Sequence, residues 1–129
     1  MSDKLNIEVI TPDQTILKSE ATEVTIPSFE GQMGILKNHI PLITFLRPGI
    51  ISVKQDQIEN KFFVEEGTVE FSKNNLLILT STVKDLKNLE KKSINYLIKQ
   101  AEDKLKNNSL SDKEKYVASY KIESLKELI

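Results

Sequence analysis

Few residues of this 129-residue chain have the types and spacing that chemistry needs. His39 is the only histidine and there is no cysteine, which excludes a multi-histidine or thiolate metal site; no serine or cysteine nucleophile motif surrounds it. Glu65 and Glu66 are adjacent at a strand end and point to opposite faces, the wrong geometry for two carboxylates sharing a substrate. The four glycines never cluster into a phosphate-cradling loop. The expectation is a chain that is not an autonomous enzyme and that needs no metal and no cofactor. What remains is contact chemistry. His39, beside Asn38, is either a turn residue whose ring bonds backbone carbonyls or a contact at a protein interface. Near the C-terminus, Lys113, Lys115, Lys121 and Lys126 are offset by Asp112, Glu114, Glu123 and Glu127, so that segment is no basic effector on charge alone.

His39 lies in the stretch that organises the chain, Gly31 to Gly49, GQMGILKNHIPLITFLRPG. Gly31 and Gly34 can set a sharp reversal before Ile35 and Leu36. Asn38 tolerates the left-handed region, and Pro41 holds Ile40 extended. Ile40 to Leu46 then reads as a buried strand, which Pro48-Gly49 turns into the next.

All eight glycines and prolines fall between Pro12 and Gly67, dividing the chain into a turn-rich first part and an uninterrupted second part. The first part reads as short strands. Leu5, Ile7 and Val9 alternate with polar residues, Thr11-Pro12-Asp13 turns, and Thr15 to Leu17 is extended. Val24 to Ile26 ends at Pro27. Strands then follow at Ile50 to Val53, Lys61 to Val64, Thr68 to Phe71 and Leu76 to Thr82, with turns at Asp56-Gln57 and Asn74-Asn75. Eight to ten closely spaced strands predict an antiparallel sandwich or flattened barrel over residues 1–84. In the second part Ile94, Leu97, Ile98, Ala101 and Leu105 form one helical stripe, with Asn88 as its N-cap. Ser111 with Glu114 is a capping-box pair opening a second helix, striped by Ala118, Ile122, Leu125 and Ile129. Two amphipathic helices with a short loop predict an antiparallel hairpin over residues 88–129, so the fold class is α+β. Its stripes are narrow, which predicts docking that is reversible at modest cost.

A net charge of -1 gives no basic stripe for nucleic acid. No apolar run approaches the ~20 residues of a membrane span, and the N-terminal MSDKLNIEV lacks a signal-peptide core. A cytosolic or membrane-peripheral protein, without direct membrane insertion, is expected.

The blocks V-I-T-P-D (Val9 to Asp13), V-T-I-P (Val24 to Pro27) and Gly31 to Gly49, with Gly67 in E-E-G-T-V-E-F, resemble the epsilon subunits of F-type ATP synthases across the whole chain. The resemblance implies a non-catalytic rotor part gripping the gamma subunit and sitting on the c-ring. It places Glu30, Gly31 and Gln32 in the loop facing the c-ring, with Gln32 where many bacterial members carry an acid. It places His39 and Leu42 on a gamma-facing surface. It also implies a hairpin with two positions: folded on the sandwich, or extended along gamma into the alpha/beta catalytic hexamer, where it blocks hydrolysis. Lys113, Lys115, Lys121 and Lys126 are then the residues of an inhibitory helix. The family's I/L-D-x-x-R-A nucleotide motif falls at Ile94, Asn95, Ile98 and Lys99, with its Asp replaced by Asn95 and its Arg by Ile98, so that site is not expected to form. The implied location is peripheral, on the cytoplasmic face of a bacterial inner membrane, or on the stromal side of a plastid thylakoid. A free-standing nucleotide-sensing module is the alternative. A secreted adhesion sandwich is opposed by the absence of cysteine and of a signal peptide.

Overall fold

The structure is a computed structural model and describes residues 3–128. Ten strands precede two helices: β1 (Leu5–Ile10), β2 (Thr15–Ala21), β3 (Glu23–Ser28), β4 (Gly31–Ile35), β5 (Leu42–Leu46), β6 (Gly49–Gln55), β7 (Ile58–Val64), β8 (Gly67–Ser72), β9 (Asn75–Thr80), β10 (Val83–Asp85), α1 (Lys91–Leu105) and α2 (Asp112–Lys126). The last strand therefore ends at Asp85, one residue past the expected boundary.

The strands form two layers. One runs β5-β8-β9-β1-β2, the other β10-β7-β6-β3, with β4 paired to β3. They meet at two corners, which makes a flattened barrel. At one, β3 and β5 pair only through Ser28 and Leu46. At the other, the Thr22 backbone N–H and hydroxyl both donate to the Lys54 carbonyl, and the Gln55 side-chain amide donates to Ser19 Oγ and the Glu20 carbonyl, each at 2.8 Å. All pairings are antiparallel except β1 with β9, which is parallel, so the wholly antiparallel expectation needs that correction. The parallel pair is possible because most of the sandwich lies between β1 and β9 and serves as the long crossover.

Alternation builds the core. Leu5, Ile7 and Val9 from β1, Val24 and Ile26 from β3, Ile51 and Val53 from β6, and Val69 and Phe71 from β8 are all buried between the layers. Turns follow local chemistry. Lys73 (φ 52°) and Asn74 (φ 61°) close the β8–β9 hairpin, both in the left-handed region that two-residue hairpins favour. Asn38 (φ 68°) takes the conformation predicted for it and is clasped to Asn74: its N–H donates to Asn74 Oδ1 at 2.6 Å. Gly31 (φ 126°) closes the β3–β4 turn, whereas Gly34 lies within β4 and makes no reversal.

Gly67 opens β8, opposite Thr80 and Leu46. A Cβ there would collide with the Leu79 carbonyl oxygen and press on Thr80, both fixed by the sheet. Gly67→Ala is therefore expected to cost about 3 kcal/mol through overpacking. Urea unfolding checks this, and an unchanged midpoint would contradict the close approach.

Two expectations for the strands and helices are corrected. Ile40 to Leu46 is not buried throughout: Ile40, Ile43 and Phe45 are 74%, 77% and 59% exposed, and the strand starts at Leu42. An apolar run suggests burial on both faces, but only alternate residues of β5 meet the core. Asn88 does not cap α1. It falls in a 3-10 turn, Leu86–Asn88, capped by Asp85, which accepts from the Lys87 N–H. The helix starts at Lys91, after an extended Glu90. The capping box of α2 forms as predicted, Ser111 Oγ accepting from the Glu114 N–H and the Glu114 carboxylate from the Ser111 N–H. Ile94, Leu97, Ile98, Ala101, Ala118 and Leu125 are buried and Leu105 and Ile122 half-buried; Ile129 lies outside the described residues.

Candidate functional site

The two layers have different outer faces, and this difference positions every candidate residue. The helical hairpin covers one end of the outer face of β6 and β7, while Lys54, Glu59 and Lys61 on the rest of that face stay exposed. Phe63 and Ile50 pack there against Ile94, Leu97, Ile98, Leu125 and Ile122, a second apolar cluster separate from the main core. Ile98, where the resemblance aligns the Arg of a nucleotide motif, is part of this cluster; Asn95 and Lys99 are exposed.

Polar fasteners ring the cluster. Tyr116 stacks on Phe29 (centroids 5.4 Å apart), and its hydroxyl donates to the Phe29 carbonyl at 3.3 Å. The Arg47 guanidinium lies 3.9 Å above the Tyr120 ring centroid and donates to the Tyr116 hydroxyl at 3.5 Å. Ser124 Oγ donates to the Pro48 carbonyl at 3.1 Å. Lys121 forms an ion pair with Glu65. Helix α2 is thus held by the β3–β4 and β5–β6 turns, both within the organising Gly31-to-Gly49 stretch or directly before it.

The candidate lysines divide. Lys121 is spent on the docked position, whereas Lys113, Lys115 and Lys126 are exposed. Lys113 lines a cleft of about 660 Å³ with Lys104, Glu65, Glu66 and Glu114, between the hairpin and the sandwich. Burial pushes the Glu65 carboxyl up, but the Lys121 ammonium and the Thr82 hydroxyl outweigh it and hold the pKa below the usual carboxylate value. A depressed carboxylate pKa contributes stability that is complete above its ordinary value and is lost as pH falls through the depressed one. Hairpin docking should therefore weaken on acidification below the ordinary carboxylate range, and Glu65→Gln should flatten that dependence. Amide exchange of α2 against pH reads this directly; a wild-type profile unchanged by the substitution would contradict it.

The outer face of β5, β8 and β9 is bare. Ile43 and Phe45 project from β5 and Leu79 from β9, with Ile40 beside them. Three open grooves cross this face. One of about 450 Å³ has Pro41, Ile43 and Glu70 on its walls, one of about 560 Å³ has Phe45, Leu79, Ile10 and Pro12, and one of about 650 Å³ has Glu8, Lys18, Leu77 and Glu70. His39 and Leu42 border this face without dominating it. The His39 ring meets Phe71 edge-on at 5.9 Å, with Nδ1 2.7 Å from the Ile40 carbonyl, the backbone bond expected of a turn histidine. Leu42 turns inward and packs against the core. The outward residues Ile43, Phe45 and Leu79 were missed in the sequence, although the period-two alternation of β5 carried the signal.

Glu30 lies in the β3–β4 turn and Gly31 and Gln32 open β4 directly after it, with Glu30 and Gln32 exposed. Phe29, the anchor of Tyr116, directly precedes them, so this turn and α2 are one packed unit. Among the described residues no group of acidic, histidine or cysteine side chains could hold a metal ion, and no helix is long and apolar enough to cross a membrane.

Residues 4–85, which form the sandwich, match the family described as ATP synthase, Delta/Epsilon chain, beta-sandwich domain. The chain is similar to an ATP synthase epsilon chain of Pelagibacter ubique, 45% identical over 129 residues and 99% of each chain. It is also similar to a chloroplastic ATP synthase epsilon chain of Gracilaria tenuistipitata, 34% identical over 89% of this chain and 85% of that one. Among solved structures it resembles a chain of the Euglena gracilis mitochondrial ATP synthase, OSCP/F1/c-ring in rotational state 1. That TM-score is 0.80 at 20% identity, over 98% of this chain and 82% of that one, a likeness of fold. The sandwich match and the identity that runs through both helices together place the chain in the ATP synthase epsilon-chain family.

Proposed function

We propose that this epsilon chain is a non-catalytic rotor part, held to the gamma subunit by the bare β5–β8–β9 face and resting on the c-ring through the turn at Glu30, Gly31 and Gln32. The observation that carries this is the asymmetry of the sandwich. One outer face packs its apolar side chains, Ile50 and Phe63, under the hairpin and leaves Lys54, Glu59 and Lys61 open, while the other leaves Ile43, Phe45 and Leu79 exposed on one side of the sheet. Apolar side chains grouped in this way mark an interaction surface. A close-packed body with two contact regions is what torque transmission between two partners requires. A related structure is a chain of the Tetrahymena thermophila mitochondrial ATP synthase central stalk/c-ring, with a TM-score of 0.65 at 16% identity over 98% of this chain and 96% of that one, and its fold agrees with a place there. The location that follows is peripheral, beside the membrane that holds the c-ring.

The hairpin is the regulatory part in this reading. Docked as seen, it leaves hydrolysis free; extended along gamma toward the alpha/beta hexamer, it blocks it. The docked position rests on a small apolar cluster and a ring of polar contacts, which suits two packings separated by a few kcal/mol. The competing reading is a free-standing nucleotide sensor. Equilibrium dialysis of the isolated chain against ATP separates the two, since tight binding favours the sensor. The rotor reading is tested by affinity capture of the chain with gamma and the c-ring. Co-migration with both supports it, and capture of neither, with an unrelated assembly instead, refutes it.

A further inference from the structure

Glu70 stands inside the bare apolar face with nothing to balance it. In the register of the sheet one row crosses five strands: Ile43 on β5, Glu70 on β8, Leu77 on β9, Glu8 on β1 and Lys18 on β2. Glu8 is in register with Lys18 on the neighbouring strand, and Glu20, farther along β2, faces Asn6. Glu70 has only Ile43 on one side and Leu77 on the other. It makes no ion pair or hydrogen bond among the described residues. Its side chain is also part of the wall shared by two grooves, one lined by Pro41 and Ile43, the other by Leu77 and Glu8.

In the free chain this carboxylate is exposed and keeps its hydration. Docking changes that. A partner that covers Ile43 and Leu77 must also strip water from Glu70 between them, and a desolvated carboxylate without a counter-charge is strongly unfavourable. The row itself gives no relief among the described residues, because its cation, Lys18, is two strands beyond Leu77 and stands in register with Glu8.

We infer that the partner surface on this face presents an arginine side chain to Glu70, its guanidinium lying between Ile43 and Leu77. This rests on the rotor reading, in which that partner is gamma. A guanidinium suits the place better than an ammonium. It is weakly hydrated, its flat faces lie against apolar side chains, and its fork meets a carboxylate with two parallel hydrogen bonds. The pair fixes the register of the two subunits: sliding by one strand would bury Glu70 against an apolar group and leave the guanidinium unpaired. The apolar residues supply adhesion, and Glu70 supplies orientation.

The test is a binding titration of purified gamma subunit with the full chain, as wild type, Glu70→Gln, Glu70→Lys and Ile43→Ser, at low and moderate salt. Glu70 is exposed, so its variants should unfold at the wild-type temperature. The expected result is a loss of affinity of about 30-fold or more for Glu70→Gln, mostly in the dissociation rate, and at least as much for Glu70→Lys. Wild-type affinity should fall with added salt, and Glu70→Gln should show a shallower salt dependence. If both Glu70 variants bind within twofold of wild type while Ile43→Ser binds weakly, the arginine inference is overturned and the rotor interface stands. If the wild-type chain does not bind gamma, the rotor reading fails, and this inference fails with it.

Discussion

Replacing Ile43 and Phe45 together by serine should lower affinity for the gamma subunit by about a hundredfold or more, while leaving the stability of the isolated chain nearly unchanged. The two side chains are 77% and 59% exposed, so folding gains little from them. Docking would bury both, at about 1.5–3 kcal/mol each for large apolar side chains. Their sum corresponds to at least two factors of ten in Kd. Leu42→Ser is the control, because Leu42 packs on the core. That change should lower the unfolding midpoint and affect gamma binding less. Titration calorimetry with purified gamma, alongside thermal unfolding of each variant, checks both halves. A double variant that binds like wild type would remove the bare face from the interface.

Arg47→Ala with Tyr116→Ala should release the hairpin. The pair removes a cation–π contact, a stacked ring and two hydrogen bonds at the β3–β4 and β5–β6 turns. Taken together these contribute about 2–3 kcal/mol. The ratio of docked to undocked hairpin should fall about 30- to 160-fold, and amide exchange in α2 should accelerate by a similar factor while the sandwich strands stay protected. In the assembled enzyme, the same variant should hydrolyse ATP more slowly than wild type if the released hairpin blocks rotation. Stopping the chain after Lys87 should then restore the rate. Hydrolysis that is equal in wild type, the released variant and the truncated chain would remove the inhibitory role and leave the rotor role untouched.

The sequence revealed much of the scaffold, because short-range patterns encode it. The alternation of Leu5, Ile7 and Val9 placed β1 correctly, and the 3.6-residue stripe from Ile94 to Ala101 gave the face of α1 that meets Phe63. Ser111 and Glu114 marked the start of α2, because a capping box depends only on residues three apart. Features set by distant partners were less legible. The parallel pairing of β1 with β9 joins residues about 70 apart, and no local signal records it. The exposure of Ile43 and Phe45 follows from which side of β5 meets the core, and an apolar run conceals that choice. The Arg47–Tyr116–Tyr120 clasp joins residues about 70 apart in the sequence, and none of the three was singled out in the sequence. The resemblance correctly indicated the family, but it pointed to Leu42 where the outward side chains are its neighbour Ile43 and, beyond it, Phe45.

The most direct test uses the chain's lack of cysteine. A single cysteine replacing Phe45 can carry a short photo-crosslinker within the purified, assembled ATP synthase. If the bare face is bound to gamma and the two turn together, the product is a covalent pair with gamma, and the cross-linked enzyme still hydrolyses ATP at close to its original rate. A product with alpha or beta, or loss of turnover once gamma is attached, would contradict the account.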